Sequence, residues 1–223
     1  RQRQMCIRDR PTRGRIQILD GLLKLKKGQK EDAFLNFIKV ENANYSQDIT
    51  DLASFYAAIV QLMRGEVEWA QAKLRVLKAS TSRLISNDAL STFLLIADIY
   101  DEDSSLIFLI PLILFENYRQ IIDTLKEQKV IGPVEEFFLG YACYKEGLFS
   151  EAMHYLQQSM NYPDLPYNDI SLYLTATILF KENKYEECEE KLFELIKKYP
   201  GSIYAQKAKE ILEKLRENKT KKT

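Results

Sequence analysis

Val134-Glu135-Glu136-Phe137-Phe138-Leu139-Gly140-Tyr141-Ala142-Cys143-Tyr144-Lys145-Glu146-Gly147-Leu148-Phe149-Ser150-Glu151-Ala152-Met153-His154-Tyr155-Leu156 is the stretch that decides the fold. Its apolar residues recur at helical spacing on both sides of Gly147, so it predicts two helices joined by a tight break. A shift of 36 residues reproduces the pattern: Gly140 falls on Ala176, Gly147 on Asn183, Phe149 on Tyr185, Ala152 on Cys188 and Leu156 on Leu192. Near the other end a shift of 37 places Gly21 on Ala58, Gly28 on Gly65, Ala33 on Ala70 and Phe37 on Leu74. Residue size is preserved as well as polarity. Two helices approach closely only where side chains are small, and a turn residue must leave the right-handed region, which glycine or asparagine does cheaply. One helix pair cannot bury both faces, so pairs must stack.

The rest of the chain follows the same plan. Helices are expected over 15–27, 30–42, 48–64, 66–79, 133–146, 149–160, 168–182 and 184–198. Residues 86–100 read as an extra helix opened by Asn87 or Asp88, and Asp101-Glu102-Asp103-Ser104-Ser105 reads as a break. Leu106 to Phe115 is an apolar run with Pro111 inside. It is too short to span a bilayer and reads as a buried helix that Pro111 kinks or starts late. Tyr118, Ile121 and Leu125 then stand where Phe149, Ala152 and Leu156 stand in the clearer unit, so 105–128 reads as a degenerate unit. A helix over 203–217, started at Ser202, buries Ala205, Ala208, Ile211, Leu212 and Leu215 and turns a polar face outward.

This order of residues resembles the tetratricopeptide repeat, a helix-turn-helix unit of about 34 residues. Leu139-Gly140, Gly147, Phe149, Ala152 and Leu156 carry the resemblance best. Leu172, Ala176, Tyr185, Cys188, Leu192 and Pro200 carry it more loosely, as do Gly21, Gly28, Ala33 and Phe37, and Gly65, Ala70 and Leu74. It implies an all-α, right-handed solenoid of antiparallel helix pairs with a C-terminal capping helix. The expected layout is one domain over 15–217, with units at 15–42, 48–79, an irregular 86–129, 133–160 and 168–198, a cap at 202–217 and a disordered tail at 218–223.

Residues 1–14 are read as a leader outside the fold. Gln4 to Arg10 matches, codon by codon, the translation of a transposon mosaic-end adapter from sequencing libraries, so residues 1–10 are set aside as non-native. A native N-terminus, with any signal it carried, is then missing, which leaves bacterial periplasm, envelope or cytoplasm equally open. Without those ten residues the formal charge moves from zero to −3, and no basic domain suggests nucleic acid.

Composition narrows the chemistry. Of 223 residues 46% are hydrophobic and 29% charged, with only 8 glycines and 6 prolines. That disfavours a sheet-rich fold, which needs turn and β-branched residues. A single histidine, His154, leaves histidine triads and multi-histidine metal sites without ligands. It reads as a rim residue. Cys143 and Cys188 stand 45 residues apart without partner ligands and read as small buried thiols. No phosphate loop or nucleophile elbow is present. Glu135-Glu136, Glu186-Glu187 and Glu189-Glu190 read as charged helix faces, and Asp101-Glu102-Asp103 as a solvated loop. Asn44-Tyr45-Ser46 and Asn218-Lys219-Thr220 fit a glycosylation pattern. No cofactor, metal or transmembrane segment is expected.

The functional expectation is therefore a surface. The resemblance implies that the first helix of each pair lines a concave groove. Its candidate residues are Val134, Phe137, Tyr141, Tyr144 and Lys145 in one unit and Ile170, Tyr173, Thr177, Phe180 and Lys181 in the next. Aromatic side chains supply contact area at low entropic cost, so a peptide or protein partner is expected there and no catalysis. The Lys, Asn and Arg set with which some family members clamp a C-terminal carboxylate is not visible. Two alternatives stand beside this reading. One is an envelope-associated assembly module, suggested by Lys198-Tyr199-Pro200-Gly201-Ser202-Ile203-Tyr204-Ala205, which looks like joints common in bacterial envelope repeat proteins. The other is a helical-toroid enzyme, which would need a cavity lined with acids or histidines.

Overall fold

A computed structural model describes the backbone of residues 2–43 and 45–220, and the side chains of 11–43, 45–100 and 104–215. Among these residues all regular structure is helical: α1 (Gln2–Lys26), α2 (Lys30–Asn42), α3 (Gln47–Met63), α4 (Val67–Leu77), α5 (Arg83–Asp103), α6 (Leu109–Leu114), α7 (Tyr118–Lys126), α8 (Pro133–Lys145), α9 (Phe149–Ser159), α10 (Asn168–Lys181), α11 (Tyr185–Lys198) and α12 (Ile203–Thr220). Consecutive helices pack against each other within two compact units, Arg1–Phe115 and Glu116–Thr223. Asn44 and the side chains of Asp101, Glu102, Asp103 and of 218–220 lie outside the described residues, and with them both glycosylation motifs and the acidic triplet.

One turn geometry recurs along the chain. Gly28, Gly65 and Gly147 have φ 77°, Asn183 has φ 61° and Glu116 has φ 53°. The residues that follow them, Gln29, Glu66, Leu148, Lys184 and Asn117, all have φ near −85° and ψ near 60°. At four of these turns the second residue's N–H donates to the carbonyl five residues back: Gln29 to Lys24, Glu66 to Gln61, Leu148 to Cys143 and Lys184 to Leu179, at 2.8–3.0 Å. This closes the helix end by satisfying carbonyls that would otherwise lack a partner. Four residues beyond the second turn residue stand Ala33, Ala70, Ile121, Ala152 and Cys188. Four further on stand Phe37, Leu74, Leu125, Leu156 and Leu192. All ten are fully buried. The turn therefore fixes which face of the following helix is covered.

In the first unit Ile18, Ala33, Phe37, Val40, Ile49, Ala53, Ala57 and Val60 form one core cluster from α1, α2 and α3. Phe37 lies over Gly21 and stacks on Tyr56 at 5.6 Å. Two sequence expectations change here. Helix α5 begins at Arg83 behind Ser82, not at residue 86 behind Asn87 or Asp88, because Ile85 belongs to the buried stripe of Ile85, Ala89, Ile96 and Ile99. It also runs on through Asp101-Glu102-Asp103, where a break was expected, and passes into a 3-10 turn over Ser104–Phe108 that keeps Leu106 and Ile107 buried. Helix α6 then starts late. Pro111 is its third residue, in the first turn, where a missing N–H breaks no intrahelical bond.

In the second unit α8 packs on α9 and α10 on α11, and α8, α10 and α12 contact one another in series. Leu172, Ala176, Leu179, Cys188, Leu192, Leu195, Ala208, Leu212 and Leu215 form one core cluster toward its C-terminus. Ser202 starts α12. Its Oγ accepts from the Tyr204 N–H at 3.0 Å and donates to Asp169 Oδ2 at 2.6 Å.

Candidate functional site

Helices α8, α10 and α12 carry a shared surface of tyrosines and lysines. On α8, Tyr141 is half-buried and meets the Tyr118 ring edge-on at 5.9 Å, while the ammonium of exposed Lys145 lies 5.4 Å from Tyr141 and 5.6 Å from Tyr118. Tyr144 follows on the same helix. Its hydroxyl accepts from Thr177 Oγ1 of α10 at 3.3 Å, and exposed Lys181 lies 5.2 Å from its ring and 4.6 Å from Phe149. On α10, Tyr173 packs on Tyr204 of α12 at 5.2 Å, and Lys207 Nζ lies 5.1 Å from Tyr204 and 6.0 Å from Tyr173. Each lysine thus stands over a pair of rings from different helices, an arrangement in which the ring quadrupole attracts the cation. No described carboxylate forms an ion pair with any of the three, whereas Lys126, Lys184, Lys191 and Lys198 of the same unit are all ion-paired.

Burial pushes the phenols of Tyr118, Tyr141, Tyr173 and Tyr204 above the ordinary tyrosine value. They are therefore neutral donors and acceptors at any physiological pH. The surface can offer hydroxyls, ring faces and ammonium groups together.

The expected residues divide into two sets. Tyr141, Tyr144, Lys145, Tyr173, Thr177 and Lys181 are brought together on this face. Phe137 is buried, stacked flat on Tyr167 at 4.4 Å and edge-on to Phe138 at 5.0 Å, so its ring fills a seam between helices. Val134 is buried as well. Phe180 is half-buried and packs edge-on against Tyr185 of α11 at 5.8 Å. Three members of the face were not foreseen: Tyr118, read as packing, and Tyr204 and Lys207, read as parts of a cap. The signal that could have found the last two is the series itself, since α12 occupies the place of a third first helix after α8 and α10.

The other sequence candidates lie elsewhere. His154 is exposed on α9 and touches Tyr155 at 5.1 Å. Cys143 and Cys188 are buried free thiols, which burial pushes up to about 11. Glu136 is half-buried with Oε2 enclosed and unpartnered, and burial raises its carboxyl. Among the described residues no group of three or more His, Cys, Asp or Glu side chains could hold a metal, and no helix is long and apolar enough to cross a membrane. No protein-family model, curated protein or solved structure matches this chain.

Proposed function

We propose that this protein is a non-catalytic interaction scaffold of the tetratricopeptide type. It is a right-handed solenoid of antiparallel helix pairs, and it binds an extended peptide or protein segment across α8, α10 and α12. The recurring turn and the buried positions locked to it support the repeat reading. Antiparallel pairing is supported by Gly140 against Leu156 and Tyr144 against Phe149, contacts that fall on either side of the Gly147 turn. The observation that carries the function is the ladder of ring pairs and lysines running over alternate helices. Half-buried rings lose little entropy on contact and give up apolar area to a partner, and tyrosine hydroxyls can pair with a peptide backbone. A surface of that kind needs no reacting group.

Selection of a random peptide display library on the whole chain tests this reading. Recovered peptides should bind the wild type and lose about tenfold or more in affinity on Tyr141→Ala, Tyr144→Ala and Tyr173→Ala combined. Peptides that bind the folded triple variant equally well would overturn the assignment of the face.

A further inference from the structure

The five positive-φ residues give the segments behind them, α2, α4, α7, α9 and α11, one register. Four, seven and eleven residues after the positive-φ residue stand fifteen positions in all, and none of them is buried. They stay open even in α9, which packs on both α8 and α10. A helix pair on either side therefore leaves this outer stripe uncovered. Outside α4, eleven of the twelve residues there are charged or polar, such as Glu151, His154 and Gln158 of α9 and Glu187, Glu190 and Glu194 of α11; Leu35 is the exception. In α4 all three are apolar: Trp69, 69% exposed, Ala72, also exposed, and Val76, 74% exposed.

The borders of this stripe say what fits it. On one side lie Lys73 and Glu66, both already engaged, Lys73 by Glu41 at 2.7 Å and Glu66 by Arg64 at 3.0 Å. On the other side lie exposed Glu68 and Arg75, seven residues apart. Neither takes part in an ion pair among the described residues, and the Arg75 guanidinium lies 6.0 Å from the Phe93 ring. One acid and one base leave no excess charge to draw an anionic lipid surface. A partner helix with flanks of a single sign would be attracted at one end and repelled at the other. A second copy laid antiparallel answers both. With a twofold axis at Ala72, the two Ala72 methyl groups meet, which lets the backbones approach closely. Trp69 then stands opposite Val76 of the second copy, and Glu68 opposite its Arg75, each within about one residue's rise, ~1.5 Å.

We propose that the Trp69–Ala72–Val76 face of α4 pairs antiparallel with the same face of a second copy of this chain. Tryptophan packs on valine and Glu68 pairs with Arg75, twice each across the axis. One helix face falls short of the about 800 Å² per partner of a standard interface, so the pair forms at micromolar concentrations and above, not as a permanent dimer. This face lies in the first unit and does not rest on the tyrosine–lysine reading.

Sedimentation velocity over a concentration series of the whole chain tests the proposal. Trp69 is the only tryptophan, so its emission should shift to the blue as dimer accumulates. Trp69→Glu and Val76→Glu should each abolish association and leave the thermal midpoint of the dilute chain unchanged, because both side chains are exposed. Glu68→Arg alone and Arg75→Glu alone should each weaken it about tenfold by setting like charges together. The two exchanged together should restore it. A chain that stays monomeric at about 200 µM overturns the proposal for a contact of this size, as does association that survives Trp69→Glu. Failure of the double exchange to recover overturns the antiparallel pairing. A blue shift that appears with anionic phospholipid vesicles and not with rising protein concentration assigns the face to a membrane surface and overturns it too.

Discussion

A carbon added to Gly140 would stand 2.9 Å from Leu156 Cγ and 3.0 Å from the Leu156 backbone nitrogen. Helices α8 and α9 therefore touch at backbone distance, and the obstacle to any side chain includes main-chain atoms that cannot rotate away. Gly140→Ala gains about 1 kcal/mol of helix propensity but forces the pair apart, which costs about 1–3 kcal/mol. The expected net result is destabilisation, read as a lower midpoint in urea with an unchanged slope. Gly21→Ala should destabilise as well, because its added carbon would stand 2.5 Å from Phe37 Cε1, on a fully buried ring stacked against Tyr56.

Glu116 occupies, with φ 53°, a position that glycine holds in three of the five equivalent turns. A side chain in the left-handed region costs about 1–2 kcal/mol, and glycine's extra freedom in the unfolded chain returns part of that. Glu116→Gly should therefore stabilise the protein by roughly 0.5–1 kcal/mol. Gly147→Ala, where nothing lies within 4 Å of the added carbon and only the backbone conformation matters, should lose about 1 kcal/mol. Thermal unfolding of the two variants should move in opposite directions.

Tyr204 and Lys207 extend the tyrosine face onto α12. If that face binds as one surface, Tyr204→Ala should weaken a selected peptide as much as Tyr173→Ala, about 1–2 kcal/mol each. Phe137→Ala should instead act on stability, by about 3–5 kcal/mol, because its ring is buried against Tyr167. Titration calorimetry beside a melting curve separates the two effects.

The thiols of Cys143 and Cys188, raised to about 11 by burial, are almost wholly protonated at pH 8. Since the thiolate is the reactive form, a disulfide reagent should modify neither in the folded chain and both after denaturation. The folded value lies above the unfolded one, near 9. The stabilisation is thus fully present below pH 9 and is lost as pH rises from 9 toward 11. A denaturation series across that window should show falling stability, weakened by Cys143→Ala with Cys188→Ala.

Ser202 joins two elements, accepting from the Tyr204 N–H and donating to Asp169 at the start of α10. Ser202→Ala should cost about 1–2 kcal/mol and raise amide exchange in the first turn of α12 more than elsewhere. Uniform loss of protection would mean that the hydroxyl does not hold the cap in place.

The helices were largely legible because each repeats small, turn and bulky residues at one spacing, and those residues act locally. Gly28, Gly65, Gly147 and Asn183 announce their turns by being the residues that tolerate positive φ. Glu116 does not, so that turn could be placed only through Tyr118, Ile121 and Leu125 behind it. The break expected at Asp101-Glu102-Asp103 failed for the same kind of reason: charge alone does not end a helix when buried residues such as Ile96, Ile99 and Leu106 lie on either side.

Sequence by itself determined the helical class, the positions of most turns and the residues that fill the seams, since these follow from propensity and periodicity along the chain. Tertiary structure alone decided that Phe137 is interior while Tyr204 and Lys207 join Tyr141 and Tyr173. An apolar stripe reads the same whether a neighbour lies on it or not. Burial is a property of what stands opposite, and that is set by which helices meet.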